Sequence, residues 1–188
     1  MPRTLRLDPI AEAHRKWVEH GWEASADGMA AVTSVMRVQQ VFLRKVDDAL
    51  APHDLSFARY ELLMLLHFTK RGELPLAKLG ARLQVHQTSI TNLVDRLEKQ
   101  GYLNRIPHPT DRRSTFAQIT TAGRKVVRKV TPQLNKVFEE LPIAPDRVRE
   151  IVEILAELRG AWLDFEIADG DKQAAALFFD QSRRRFSA

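Results

Sequence analysis

The stretch His86–Gln100 places Gln87, Thr88, Ser89, Thr91, Asn92 and Asp95 on one face of a helix, with Ile90, Leu93, Val94 and Leu97 on the other. Short amide and hydroxyl side chains in that arrangement suit the base edges of a DNA major groove, which is about 12 Å wide and admits one helix. Gln and Asn can pair bidentately with adenine, and threonine can offer its methyl to thymine. Shortly downstream, Asp111, Arg112 and Arg113 lie in PHPTDRRS, a turn-forming segment whose two guanidinium groups can reach phosphates or an adjacent minor groove. Arg96 and Arg105 add positive charge to the same region, while His86, at the helix start, either touches phosphate or caps the turn. A polar helix face usually does no more than meet water. Here it is accompanied by a short preceding helix, a tight turn and a basic hairpin, which together point to a reader of duplex DNA.

The elements that must hold this face are mainly helical. Apolar residues at Val35, Val38, Phe42, Val46, Ala49 and Leu50 predict a long amphipathic helix from Met29 to Leu50, closed by Pro52. Ser56 is placed to cap a second helix, FARYELLMLLHF, apolar around most of its circumference and so expected at the centre of the fold. Leu76, Leu79 and Leu83 mark a short helix, and Gln84 to His86 separate it from the polar-faced one, which Gly101 ends. Residues 102–106 and 115–119 then read as two strands of a hairpin. Thr120 or Thr121 caps a further helix that Pro132 should kink, and after Pro142 and Pro145 a last helix runs from Val148 towards Phe165. The class is mainly α with a small β-hairpin wing. Residues 8–54 form an extension and first long helix, 55–121 the reading lobe, 122–168 the C-terminal helices and 169–188 a tail.

Charge is distributed to match. Residues 56–121 carry ten basic and five acidic side chains, whereas 1–55 and 122–188 are each close to neutral, so the net charge of +5 is concentrated around the polar helix. A solvated surface that happens to be basic is the alternative. No apolar run approaches the roughly 20 residues of a membrane span, and the N-terminus has no apolar core of the signal-peptide kind, so a cytoplasmic protein is expected. The chain has no cysteine, which excludes disulfides, thiolate metal sites and thiol redox sensing. The six histidines are scattered without metal-ligand spacing, and there is no nucleophile elbow, phosphate loop or HxxxH pair. Neither an enzyme nor a bound cofactor or metal is expected.

Residues 87–101 (QTSITNLVDRLEKQG), Asp111-Arg112-Arg113 and Ile119-Thr120-Thr121-Ala122-Gly123 together resemble the MarR family of winged helix-turn-helix transcription regulators. The resemblance covers about residues 30–168, and the joint spacing is more specific than any one piece. It implies a homodimer held by its first and last helices, a wing braced by Asp111 with Arg113 on DNA, and release of DNA by a small, often aromatic or phenolic, ligand. The broad apolar stripes of the terminal helices independently favour a partner, although a bundle closed within one chain is an alternative. Residues 8–24 exceed the usual start and resemble the extended members, including a urate-responsive subgroup in which a tryptophan of this helix lines the pocket. Leu93 stands where that subgroup carries arginine, which argues against urate. A pocket, if formed, is expected to use Trp17, Tyr60 and His67, with Arg59 available to an acidic ligand. The competing function is a winged-helix module working through protein contacts, which would be far less sensitive to salt than a repressor on a palindromic operator.

Overall fold

A computed structural model describes residues 7–83, 86–107 and 115–162. The order of elements is α1 (Pro9–Glu19), α2 (Glu23–Leu50), a 3-10 turn (Ala51–His53), α3 (Phe57–Phe68), β1 (Glu73–Pro75), α4 (Leu76–Leu83), α5 (Gln87–Lys99), β2 (Leu103–Pro107), β3 (Thr115–Ile119), α6 (Thr121–Glu139) and α7 (Pro145–Ala161). The chain divides into one unit up to Glu140 and a second from Leu141 onward that contains α7.

In the first unit the expected central helix is central. Tyr60, Leu62, Leu63 and Leu66 of α3 are buried against Leu79 of α4, Ile90, Val94 and Leu97 of α5, Leu103 and Ile119 of the sheet, and Val127, Val130 and Leu134 of α6. Only the C-terminal end of α2, through Val46 and Leu50, enters this core. Its middle instead exposes Val32, Val35, Met36, Phe42 and Leu43, each more than two-fifths accessible. The helix starts at Glu23 rather than Met29, and the break before it is made at Gly21, whose φ of +80° is a left-handed conformation open to glycine. α1 folds back on α2 through that turn, held by Trp17 against Trp22 at 5.3 Å and by His14 Nε2 against Asp27 Oδ1 at 2.8 Å.

Two local expectations change. Ser56 occupies the N-cap of α3, but its side chain does not cap; Asp47 Oδ1 of α2 accepts from the Phe57 amide at 3.2 Å instead. The same contact fixes the elbow between the two helices. Pro132 lies within α6, which remains one helix from Thr121 to Glu139. Only one backbone bond is lost at a proline, and its would-be acceptor belongs to Arg128, which is exposed and can be hydrated.

The hairpin is part of a three-stranded antiparallel sheet in the order β1-β3-β2, with Glu73 opposite Gln118 and Leu103 opposite Ile119. β1 is too short to show a period in sequence. Gly101 turns the chain from α5 into β2 at φ +72°. Gly123 serves differently: a Cβ there would come within 2.1 Å of the Tyr102 carbonyl oxygen, so the first turn of α6 can lie against the hairpin only because the side chain is absent. Thr120, rather than Thr121, caps that turn, its Oγ1 accepting from Gly123 N at 3.0 Å.

In the second unit, α7 begins with Pro145 at its first turn and leaves Ile151, Val152, Ile154, Leu158 and Trp162 accessible. Among the described residues no helix is long and apolar enough to cross a membrane.

Candidate nucleic-acid interface

α5 is built to present a polar face. Ile90, Val94 and Leu97 are fully buried beneath it, whereas Thr88, Ser89, Thr91, Asn92, Arg96 and Lys99 are exposed. His86 is the N-cap: its Nδ1 accepts from the Thr88 amide at 3.3 Å, so of the two roles open to it in the sequence the structure shows capping. Gln100 closes the helix, and the turn at Gly101 launches β2 directly from its end. The spacing of the exposed residues therefore follows from the buried ones, because a rigid core fixes the rotation of the helix.

The two edges of this face differ. On the hairpin side, the Arg105 guanidinium of β2 bonds Asp95 and meets Glu98 Oε2 at 2.6 Å, while the Arg105 amide donates to Glu98 Oε1 at 3.1 Å. Burial disfavours the arginine's charge, but the bonds to the two carboxylates outweigh it and hold the group above its ordinary pKa. Arg105, expected on DNA, is thus occupied within the protein and ties the base of the wing to α5. On the other side, an open cleft of about 530 Å³ separates α5 from the start of α3. Ser89, Asn92, Arg96 and Lys99 face it from α5, and Ser56 and Arg59 from α3. Asp111, Arg112 and Arg113 lie outside the described residues, as does the side chain of Gln87.

The residues expected to line a ligand pocket are dispersed. Arg59 is directed to the α5 cleft, bonded to Gln100 Oε1 at 3.2 Å and 3.6 Å from Asp54 Oδ1. Tyr60 and His67, two turns apart on α3, face α6 instead: the Tyr60 hydroxyl meets Thr131 Oγ1 at 3.0 Å, and His67 Nδ1 lies 3.5 Å from Arg124 Nη1. Burial, reinforced by the positive charges of Arg124 and Arg128, holds His67 below the usual histidine pKa. Trp17 packs on Trp22. Among the described residues no group of three or more histidines and carboxylates is placed to hold a metal ion.

Two features escaped the sequence. Asp95 and Glu98 form the clamp for Arg105, and Gln100 links Asp54 to Arg59 by donating to the Asp54 carbonyl and carboxylate at 2.9 and 2.8 Å. The first has a weak signal, two acids three residues apart on a face otherwise made for an anion. The second has none, because its partners are more than 40 residues apart.

The lobe is thus a helix-turn-helix followed by a strand pair, with a polar outer face and a basic flank. A model of the MarR family matches residues 55–115. The crystal structure of Sco5413, a MarR family transcriptional regulator from Streptomyces coelicolor, superposes with a TM-score of 0.69 at 45% identity, covering 74% of this chain and 98% of that one. The chain belongs to the MarR family. Among curated MarR-type relatives, the HTH-type transcriptional regulator MhqR of Bacillus subtilis is 37% identical over 106 residues, 56% of this chain; the match spans 63% of MhqR, less than two thirds of its length. The MarR family regulator Sco3205 of S. coelicolor, solved in complex with DNA, is 25% identical with a TM-score of 0.63, covering 69% of this chain and 85% of that one. In MarR terms, α4 and α5 are the helix-turn-helix and β2–β3 the wing. The matched relatives are transcriptional regulators, not enzymes.

Proposed function

We propose that this MarR-family protein is a sequence-specific DNA-binding transcription regulator that acts as a homodimeric repressor on a palindromic operator. The observation that carries the reading is the exposed Thr88, Ser89, Thr91, Asn92 and Arg96 face on a helix whose opposite side is wholly buried. Such a face is rigidly aimed, and Thr88, Ser89, Thr91 and Asn92 are short enough to read base edges without losing much rotamer entropy. The wing, braced by Arg105 and with Arg112 and Arg113 in the sequence that joins its strands, supplies sequence-independent grip on phosphates. The likeness to Sco3205, a regulator solved in complex with DNA, supports DNA binding.

Dimerisation is supported by exposed apolar surface. The α2 stripe Val32, Val35, Met36, Phe42 and Leu43 follows helical spacing, and α7 separately leaves Ile151, Ile154, Leu158 and Trp162 accessible. Apolar stripes of that extent are costly in water and are covered by a second copy. Two-fold symmetry then sets two α5 helices about one DNA turn apart, roughly 34–36 Å, on inverted half-sites. The protein works wherever the chromosome lies, in the cytoplasm.

Release by a small ligand is supported by the contact of α3 with α6. Arg124 and Arg128 set positive charge beside the His67 imidazole, and Met64 Sδ of α3 lies 3.9 Å from Thr131 Oγ1 of α6, a setting for an acidic aromatic compound. The experiment that tests the reading is selection of bound fragments from random duplex DNA with the purified protein. Enrichment of an inverted repeat with half-sites one turn apart supports it; recovery of the starting pool overturns it.

A further inference from the structure

A helix lying in the major groove has a DNA strand on each flank, because the groove is about 12 Å wide and a helix with its side chains nearly fills it. One flank of α5 is closed by the wing, but the only arginine described there, Arg105, is neutralised by Asp95 and Glu98. The opposite flank is the cleft towards α3. Arg59, Arg96 and Lys99 converge on it, with Ser56 and Ser89 offering hydroxyls. Asp95 also borders the cleft, yet its carboxylate is bonded to Arg105, and the Asp54 carboxylate, 3.6 Å from Arg59 Nη2 and outside the lining of the cleft, has a side chain that is 85% exposed. The cleft is therefore a cationic recess with hydroxyl donors on the DNA-facing side of the lobe.

We propose that this cleft seats a backbone phosphate of the strand that the wing does not grip, with Arg59 and Lys99 as its charged donors alongside Arg96. The inference rests on the DNA-binding reading and deepens it. Arg59 becomes a phosphate contact instead of a ligand group, and Lys99 acquires a role. Arg59 is suited to it because its guanidinium is held in place: the side chain is only 11% exposed, Nη1 donates to Gln100 Oε1 at 3.2 Å and Nε to Ser56 Oγ at 3.4 Å, and Gln100 is in turn fixed to Asp54. A guanidinium held in this way loses little freedom when it meets a phosphate. Gln100 is accordingly a positioning residue. The seat and the wing grip opposite strands, so α5 is pinned from both sides.

The test is binding of the full chain to the selected operator and to a random duplex, measured by fluorescence anisotropy between 50 and 200 mM salt. Each phosphate contact contributes about 0.9 to the slope of log affinity against log salt. Arg59→Ala and Lys99→Ala are each expected to reduce the slope by about 0.9 on both duplexes. Across that range each variant loses about 3.5-fold less affinity than the parent. Arg59→Lys should regain part of the slope, and Gln100→Ala should weaken binding in the parent but add nothing to Arg59→Ala. Lys99 is exposed on a helix end, so its variant keeps the test decisive if Arg59→Ala unfolds. Full slope in Lys99→Ala and in a folded Arg59 variant rejects the seat while leaving DNA binding intact. A parent that binds neither duplex rejects the DNA-binding reading itself.

Discussion

Replacing Arg105 by alanine separates two roles with opposite signatures. If Arg105 contacted DNA, its loss would lower the salt slope by about 0.9 and leave the free protein as stable as before. The structure places it between Asp95 and Glu98, with side-chain exposures of 28, 43 and 38%. Fully exposed ion pairs are worth about 0.2–1 kcal/mol, and bonds to charged groups in drier settings about 1.5–3. Two partly screened pairs on one guanidinium therefore amount to about 1–2 kcal/mol. For a chain of this size that corresponds to a fall in Tm of about 2–8 °C. The alanine variant also leaves two carboxylates unpaired on the face turned towards phosphates, so DNA affinity falls as well. Thermal unfolding of Arg105→Ala, Glu98→Gln and the double variant resolves the matter, because a real brace gives a coupling of about 0.5 kcal/mol or more. A Tm within 1 °C of the parent together with zero coupling would refute the argument.

Other consequences follow from single contacts. Gly123→Ala sets a methyl 2.1 Å from the Tyr102 carbonyl, backbone that cannot move aside, and is expected to lower stability by about 1–3 kcal/mol in denaturant titration. Asp47→Ala removes the cap of α3 and should lower stability by about 0.5–2 kcal/mol in the same assay, with Asp47→Asn nearly neutral. Because His67 titrates lower in the folded protein than in the unfolded chain, the unfolded state takes up its proton first as pH falls. Stability should then decline below about pH 6.5 and level off below the folded-state value. His67→Gln should flatten that part of a Tm-against-pH curve.

Much of the reading lobe was legible because its signals are local. The rotation of α5 is written in the spacing of Ile90, Val94 and Leu97, its end in Gly101, and the start of α6 in the pair Thr120-Thr121, of which the structure selects Thr120. What could not be read depends on residues distant in sequence. Asp47 caps a helix ten residues away, β1 becomes a strand only by pairing with β3, and Gln100 acquires its task from Asp54 and Arg59. Arg105 shows the limit most plainly. As a basic residue beside a polar helix it reads as a DNA contact, and only the fold reveals that two acids on that helix already hold it. Likewise Arg59 and Tyr60, adjacent in sequence, point to different surfaces because consecutive helical residues diverge by about 100°.

Whether the polar face of α5 lies in a major groove is decided by replacing single purines of the selected operator with their 7-deaza analogues. That change removes the N7 acceptor from the major-groove edge and leaves base pairing and phosphates in place. A helix seated there loses about 1–3 kcal/mol of affinity at one or more purines of each half-site in the parent, and Asn92→Ala abolishes the loss at one such position. Undiminished affinity at every substituted purine would contradict it.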